Sequence, residues 1–537
     1  MSGSFTQPQV YFFGQGRADG TAAMKDVLGG KGAGLAEMTT LGIPVPPGFT
    51  IATSVCHSYL ESRQFSPRLR SQVEHSLQRL EAVTDRQFGG AEHPLLVSVR
   101  SGAPVSMPGM METILNLGLN DTTVEGLAAQ AGNPAFAWDS YRRFVQMYGA
   151  VVFELSKQPF EHRLDARKRE CGVAREIDLP VPVIQALVRE FKELVRQHTG
   201  KPFPDDPVAQ LWGAIAAVFS SWNTRRAMDY RKLHSVPDTM GTAVNVVAMV
   251  FGNVGEDSGT GVAFTRDPST GETGLYGEYL LNAQGEDVVS GTRTPEPIAT
   301  LAGRMPHAYQ ELERTARVLE RHFRDVQDLE FTIERGRLYM LQTRRAQRSG
   351  PAAVRIACDM VDERLISQDE AVARIPPKDL DQLLHPTIDQ ASRLDLLAIG
   401  LPASPGAACG TVVFDADRAE RLGRGGQPVI LVRRETSPED FHGMVVAKAV
   451  LTARGGMTSH AAVVARGMGK PCVVGAASID VDEPNHRFSV DGRVVQEGEW
   501  ISLDGGNGKV FAGQARLIEP TLGEHFKQLM GWADSVR

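Results

Sequence analysis

Cysteine is scarce in this 537-residue chain. The five, Cys56, Cys171, Cys358, Cys409 and Cys472, are scattered, and the nearest two, Cys358 and Cys409, are 51 positions apart. No CxxC pair exists, which excludes a zinc knuckle or a thioredoxin-like motif. An odd, dispersed set fits a reducing compartment rather than a disulfide framework. Positive charge is not in excess either. The 57 Lys and Arg face 64 Asp and Glu, a net charge of −7, which is the wrong sign for a general nucleic-acid binder but leaves local phosphate sites open. Long apolar runs are missing: stretches such as Ala243–Phe251 are far too short to span a bilayer. Met1–Gly20 has no basic segment followed by an apolar one, so no leader is expected. These absences point to a cytoplasmic protein with neither nucleic acid nor membrane as partner. There is no internal repeat and no low-complexity tract.

Present instead is an ordinary globular composition, 42% hydrophobic and 23% charged, long enough for three or four domains. The first hundred residues alternate strand-like pieces (Val10–Phe13, Val45–Ile51, Leu95–Arg100) with a glycine-rich turn and helix at Gly29–Leu41. Residues from about 119 to 235 read as mostly helical. Ile184, Leu187, Val188, Phe191 and Leu194 fall close to helical spacing. Strand character returns at Ala243–Phe251 and Gly261–Thr265, and a hairpin follows at Leu329–Gln342. The polar stretch Arg344–Gly350 marks a boundary, a charged helical connector runs to about Leu397, and Gly400–Gly410 opens another alternating β and helix segment. The fold class expected is α/β and α+β, multidomain.

Three motifs carry chemistry. In Thr452–Gly475 a strand runs into Gly455-Gly456-Met457-Thr458-Ser459-His460. Thr458 and Ser459 are good N-cap types, so His460 is expected in the first turn of a helix, where free backbone N–H groups favour an anion. A neutral imidazole there is a nucleophile near pH 7. A lone histidine at a helix start is more often a packing residue; the loop context reverses that. Second, Asp328–Arg344 reads as a hairpin with a three-residue turn, Glu334-Arg335-Gly336. Counting outward, Asp328 faces Gln342, and alternation puts Asp328, Glu330, Gln342 and Arg344 on one face, a set suited to Mg²⁺ and phosphate. A solvated polar face is the alternative. Third, Leu28–Met38 sets Lys31 among glycines. Gly32 stands where a Walker A motif needs Ser or Thr, so taken alone this is a turn before a helix.

The Thr452–Gly475 segment resembles the phosphohistidine loop of the pyruvate, phosphate dikinase and phosphoenolpyruvate synthase superfamily, and its Gly-Gly-Met-Thr-Ser-His form is closer to the dikinases. The other motifs match in order from about Val10 to Trp532. The resemblance implies that His460 carries a phosphoryl group. It makes Thr458 a candidate regulatory phosphorylation site, where added negative charge would block the phosphoryl donor; a plain helix cap is the alternative. It implies Asp328, Glu330 and Gln342 at Mg²⁺ and nucleotide, with Lys31, Arg100 and Arg344 at ATP phosphates. Ser98–Thr113 resembles a phosphate-covering segment, and Ser258–Pro268, with Thr260 and Gly261, a second glycine-rich loop. Arg142 and Glu286 fall on family active-site positions.

The fold this implies is an ATP-grasp domain over residues 1–348 with a helical insertion at about 119–235, and a helical connector over 349–397. A swivelling phosphohistidine domain over 398–520 and a C-terminal tail over 521–537 complete it. The reaction implied is phosphorylation of His460 by ATP and inorganic phosphate, giving AMP and pyrophosphate, then transfer to pyruvate to make phosphoenolpyruvate. In the family that last step uses a TIM barrel, a fold of about 250 residues. Only five residues follow Trp532, so the barrel is expected to be missing or separate. The alternatives are a fragment of a full dikinase, a phosphoenolpyruvate synthase-like or other ATP-dependent phosphotransferase half-enzyme, and a non-catalytic ATP-binding remnant. Oligomeric state is left open, with a homodimer allowed.

Overall fold

A glycine explains a kink early in the chain. Gly29 has φ +68° and ψ 167° and interrupts the helix Lys25–Thr40. A Cβ built on it would lie 1.7 Å from the Gly102 carbonyl oxygen, so only glycine allows this backbone shape and this close approach. The computed structural model describes residues 8–105, 107, 110–233, 235–290, 294–376, 380, 386–389, 392, 394–518 and 523–536. It divides into two compact units, Met1–Val254 with Tyr339–Gln342, and Gly255–Leu338 with Thr343–Arg537.

In the first unit, six strands form an antiparallel sheet in the order Arg17–Ala18, Val10–Gly14, Gly48–Ile51, Ala243–Ala248, Val97–Gly102, Thr113–Leu117. The central strands Gly48–Ile51 and Ala243–Ala248 are buried along their whole length. The helical stretch expected from about 119 to 235 contains Thr123–Ala131, Pro134–Val152, Gln158–Cys171, Val181–Thr199, Pro207–Ser221 and Arg225–Leu233. Their starts are legible. Asn133 accepts from the Phe136 N–H and Asp206 from Val208 and Ala209, each with proline at the next position. In Val181–Thr199 the buried stripe is Ile184, Leu187, Val188, Phe191 and Val195, with Leu194 only half-buried.

The second unit holds two main sheets. The first runs Glu296–Pro297, Thr273–Leu281, Gly259–Arg266, Gln327–Glu334 and then Arg337–Arg345, of which Tyr339–Gln342 is counted with the first unit. The second, eight-stranded and mixed, runs Leu396–Ile399, Lys509–Ala512, Trp500–Asp504, Ala407–Val413, Val429–Arg433, Ala449–Thr452, Cys472–Val474, Leu401–Ser404. From Ala407–Val413 through Cys472–Val474 its strands are parallel, joined by stretches containing the helices Ala416–Arg424, Phe441–Val446 and His460–Gly467. Parallel strands need such crossovers. Near the C-terminus the chain forms the helix Glu524–Val536, whose Phe526, Leu529 and Trp532 pack with Val354, Cys358 and Ile366 around the helix Gly350–Asp362.

Two expectations need correcting. The hairpin turn has two residues, not three: Arg335 and Gly336, at φ 49° and 75°, join Gln327–Glu334 to Arg337–Arg345. Positive φ at both positions is the shape that matches strand twist. Asp328 and Arg344 still share a face, their side chains bonded at 2.7 Å. Thr260 and Gly261 lie inside the strand Gly259–Arg266 rather than in a loop. A Cβ on Gly261 would meet the Phe331 ring at 2.5 Å, so close strand packing accounts for that glycine. Within the second unit, Val262, Phe264 and Leu280 of the sheet cluster with Val354, Ile356 and Cys358 of the helix Gly350–Asp362.

At the end of Gly259–Arg266, Arg266 is buried and bonds Glu320 at 2.8 Å and Glu363 at 2.6 Å. Burial alone would weaken its charge, but the two carboxylates raise its pKa above the ordinary arginine range. Removing one member of a buried ion pair costs more than the pair contributes, because the partner's charge is stranded. Arg266→Ala is therefore expected to cost about 3 kcal/mol, seen in urea unfolding as an earlier transition of the second unit. Arg175→Ala, whose partner Asp178 is on the surface, should leave the unfolding midpoint unchanged.

Candidate active site

The strand Ala449–Thr452 is fully buried. Beyond it the chain turns through Gly455, at φ +99°, and enters the helix His460–Gly467. Sites in open α/β sheets gather beyond the carboxyl ends of parallel strands. His460 is the first helical residue, as expected. The capping is not. Ser459 holds the N-cap position, but its side chain makes no capping bond, and its Oγ is buried without a hydrogen-bond partner among the described residues.

The His460 ring is half-buried. Its Nδ1 lies 3.2 Å from Thr436 Oγ1, and its Nε2 is buried with no hydrogen-bond partner among the described residues. Burial pushes the imidazole pKa down to about 4; the charge of Glu439 opposes this but does not overcome it. The ring is thus neutral at pH 7 and has a lone pair to offer.

Glu278, on the strand Thr273–Leu281, holds the loop before His460. Its buried carboxylate accepts from the Met457 N–H at 2.9 Å, the Thr458 N–H at 3.3 Å and the Thr458 hydroxyl at 3.1 Å. Burial raises its pKa, and these hydrogen bonds offset that only in part. A Cβ on Gly456 would sit 2.2 Å from Glu278 Oε2, so Gly456 is required by the carboxylate against it. From the same helix, fully buried Arg466 donates to the carbonyls of Ala403 at 2.9 Å and Met457 at 3.2 Å. Neither Glu278 nor Arg466 was expected from the sequence. Gly456 was the available signal: its φ is not positive, so only crowding explains it, but its partner is 178 positions away. Thr458 is buried, with its hydroxyl committed to Glu278.

In the hairpin, Asp328 is buried and its Oδ2 accepts from Arg344 at 2.7 Å. Its Oδ1 is buried without a hydrogen-bond partner among the described residues. Burial raises its pKa despite Arg344, and Glu330 adds to the rise. An orphaned carboxylate oxygen beside a second carboxylate fits a hard cation such as Mg²⁺. Glu330 is half-buried and Gln342 is buried. Thr260 donates to the Phe331 carbonyl at 3.0 Å. Glu286 falls in the helix Gly285–Ser290, but its side chain lies outside the described residues, as do Ser106, Pro108 and Gly109 of the expected covering segment.

In the first unit the Gly29 kink delivers Lys31 to the strand that carries Arg100. A Cβ on Gly102 would be 3.4 Å from Lys31 Cβ, and the Gly30 N–H donates to the Ala103 carbonyl at 2.9 Å. Arg142 is placed differently. It is buried on the helix Pro134–Val152 and paired with Asp139 at 2.7 Å and Glu176 at 3.5 Å. Burial works against the Asp139 charge, but Arg142 and Arg143 hold its pKa below the usual carboxylate range.

This chain matches the family described as pyruvate phosphate dikinase, AMP/ATP-binding domain, over residues 25–87, 61–308 and 306–365, and the PEP-utilising enzyme mobile domain over 425–508. It belongs to the pyruvate, phosphate dikinase family. Among curated relatives, it is 54% identical to a pyruvate, phosphate dikinase of Rhizobium meliloti (strain 1021) and 53% identical to one of Clostridium symbiosum. Those matches cover 98% and 97% of this chain and 60% of each relative. With a chloroplastic dikinase of Oryza sativa subsp. japonica it shares 49% identity, over 99% of this chain and 56% of the relative. The chain thus spans about 60% of the length of the dikinases it matches. Among the described residues, no helix is long and apolar enough to cross a membrane.

Glu278→Ala should speed hydrogen exchange at the Met457 and Thr458 amides by about tenfold or more, the loss of a hydrogen bond to a charged group. Gly456→Ala should do the same by driving the loop off Glu278; unchanged exchange in both variants would refute the clamp. The His460 ring should titrate near pH 4 by NMR, not near 6.5. The unfolded chain then binds more protons between those values, so this contribution to stability is complete above about pH 6.5 and falls as pH drops towards 4. In His460→Gln that part of the pH dependence should flatten.

Proposed function

We propose that this chain performs the ATP- and phosphate-using half of a pyruvate, phosphate dikinase reaction, with His460 as the phosphoryl carrier. The observation that carries the reading is a half-buried histidine at the start of a helix, with one nitrogen engaged by Thr436 and the other, Nε2, buried and without a partner among the described residues. The lone pair of Nε2 attacks the β-phosphorus of ATP. The bond from that phosphorus to the AMP oxygen breaks, AMP leaves, and a pyrophosphoryl-histidine remains. An oxygen of inorganic phosphate then attacks the outer phosphorus, and pyrophosphate leaves phospho-His460.

The chain's other residues neutralise and orient. Lys31, Arg100 and Arg344 supply cations to phosphate oxygens. Asp328, Glu330 and Gln342 hold Mg²⁺, which when bound screens charge on the transferring group. Thr260, Gly261, Arg142 and Glu286 are assigned to the nucleotide and phosphate region by family position, and Thr458 to regulatory phosphorylation. The division into a nucleotide-binding part over 1–348, a connector over 349–397 and a mobile histidine part over 398–520 belongs to the same reading. Transfer to pyruvate, giving phosphoenolpyruvate, is assigned to a site outside the described residues.

The test is incubation with Mg²⁺ and ATP labelled at either the β- or γ-phosphate, with and without inorganic phosphate. Wild-type protein should take up acid-labile β-label and release AMP, while His460→Ala should take up none. Adding phosphate should free the γ-label as pyrophosphate and leave the β-label on the protein. Release of γ-label as orthophosphate would identify water as the co-substrate. ATP binding without protein label would refute the catalytic reading.

A further inference from the structure

We infer that Thr436 is a positioning residue for His460: its hydroxyl oxygen accepts the ring's Nδ1–H, which fixes the tautomer whose lone pair is on Nε2 and supports the ring as that nitrogen bonds to phosphorus. The inference rests on the reading of His460 as the phosphoryl carrier.

The starting observation is an asymmetry between the two ring nitrogens. Nδ1 is 3.2 Å from Thr436 Oγ1, whereas Nε2 is buried and unpartnered among the described residues. In a neutral imidazole one nitrogen carries the proton, and the hydrogen bond at the other position selects which. A threonine hydroxyl can donate or accept, so the contact alone allows both tautomers. If Thr436 donated, the proton would sit on Nε2. That would bury an unpaired N–H and remove the only lone pair free to react. With Thr436 accepting, Nδ1–H is satisfied and Nε2 is a nucleophile.

The segment that carries Thr436 is anchored on both sides. The Arg434 N–H donates to Glu483 at 3.0 Å, and its guanidinium donates to the Val481 carbonyl at 3.0 Å. Ser437 and Asp440 form a reciprocal capping box, with the Ser437 N–H on Asp440 at 2.8 Å. Arg433 pairs with Asp440 at 3.3 Å and Glu483 at 3.1 Å. Thr436 is therefore presented to the ring by fixed backbone, and a fixed acceptor costs little reorganisation at the moment of reaction.

The electron count supports the same assignment. The Nε2 lone pair becomes the N–P bond, and the electrons of the breaking P–O bond leave with AMP. No proton departs: Nδ1 keeps its hydrogen and the ring acquires positive charge. A hydrogen bond from a cationic donor is stronger than one from a neutral donor. The Nδ1–H to Thr436 bond thus tightens as charge develops, which favours the transition state over the ground state.

The test compares Thr436→Val, which keeps the shape but removes the acceptor, with Thr436→Ser, which keeps the acceptor. Single-turnover loading with β-labelled ATP should slow by about tenfold or more in the valine variant, and serine should restore it to within about threefold. In parallel, protein labelled with ¹⁵N-histidine reports the tautomer, the His460 signals being those lost in His460→Gln. Wild type should carry hydrogen on Nδ1, and the valine variant should shift towards Nε2–H, a change that a purely structural role would not produce. Loading by the valine variant at the wild-type rate, or hydrogen on Nε2 in wild type, would overturn the assignment. Absence of label on wild type would instead refute His460 as carrier, and the tautomer measurement would still judge Thr436.

Discussion

A histidine can attack phosphorus only while it keeps a lone pair, and a proton removes it. For the proposed role of His460, keeping the ring uncharged is the condition its surroundings must meet. Burial supplies it, because a low-dielectric surrounding disfavours the charged ring. Burial then imposes further demands. The ring sits on the first residue of a helix just beyond a parallel strand, where the helix's free backbone N–H groups favour an anion. Its proton-bearing nitrogen needs an acceptor, which a carboxylate would provide only by restoring the ring's basicity. A neutral hydroxyl, that of Thr436, meets the need without doing so.

The loop in front of the histidine is held by charge rather than by capping. Glu278 gathers two backbone N–H groups and a hydroxyl onto one buried carboxylate, leaving no room for a side chain at Gly456. A buried carboxylate is tolerable only when hydrogen-bonded, and a loop of small residues is ordered only when something collects its N–H groups. Each solves the other's problem. Arg466 adds a second tie by binding the Met457 carbonyl from the following helix, so the same few residues are gripped through both their donors and their acceptors.

Asp328 presents the contrasting case. One of its oxygens is matched to Arg344, and the other is buried without a partner among the described residues. Buried polar atoms are nearly always paired, and this orphaned oxygen is the atom that the proposed Mg²⁺ site would engage. In the first unit, by comparison, Arg142 and Asp139 are paired on the helix Pro134–Val152.

Local sequence was sufficient wherever the physics is local. Apolar spacing marked four of the five buried positions of Val181–Thr199, and Thr458 and Ser459 before the helical run put His460 at a helix start. It fell short on the Arg335-Gly336 turn, where one residue more or fewer changes which side chains face each other and composition reads alike for both. It mistook Thr260 and Gly261 for a loop because a glycine required by crowding looks like a glycine required for bending. Only tertiary structure could bring Glu278 to Gly456, or Thr436 to Nδ1 of His460. Those contacts join positions 178 and 24 residues apart, and nothing at either end encodes the other's distance. They exist because buried donors, acceptors and charges must find partners within the packed unit, and which partner is near is decided by how the sheets and helices stack.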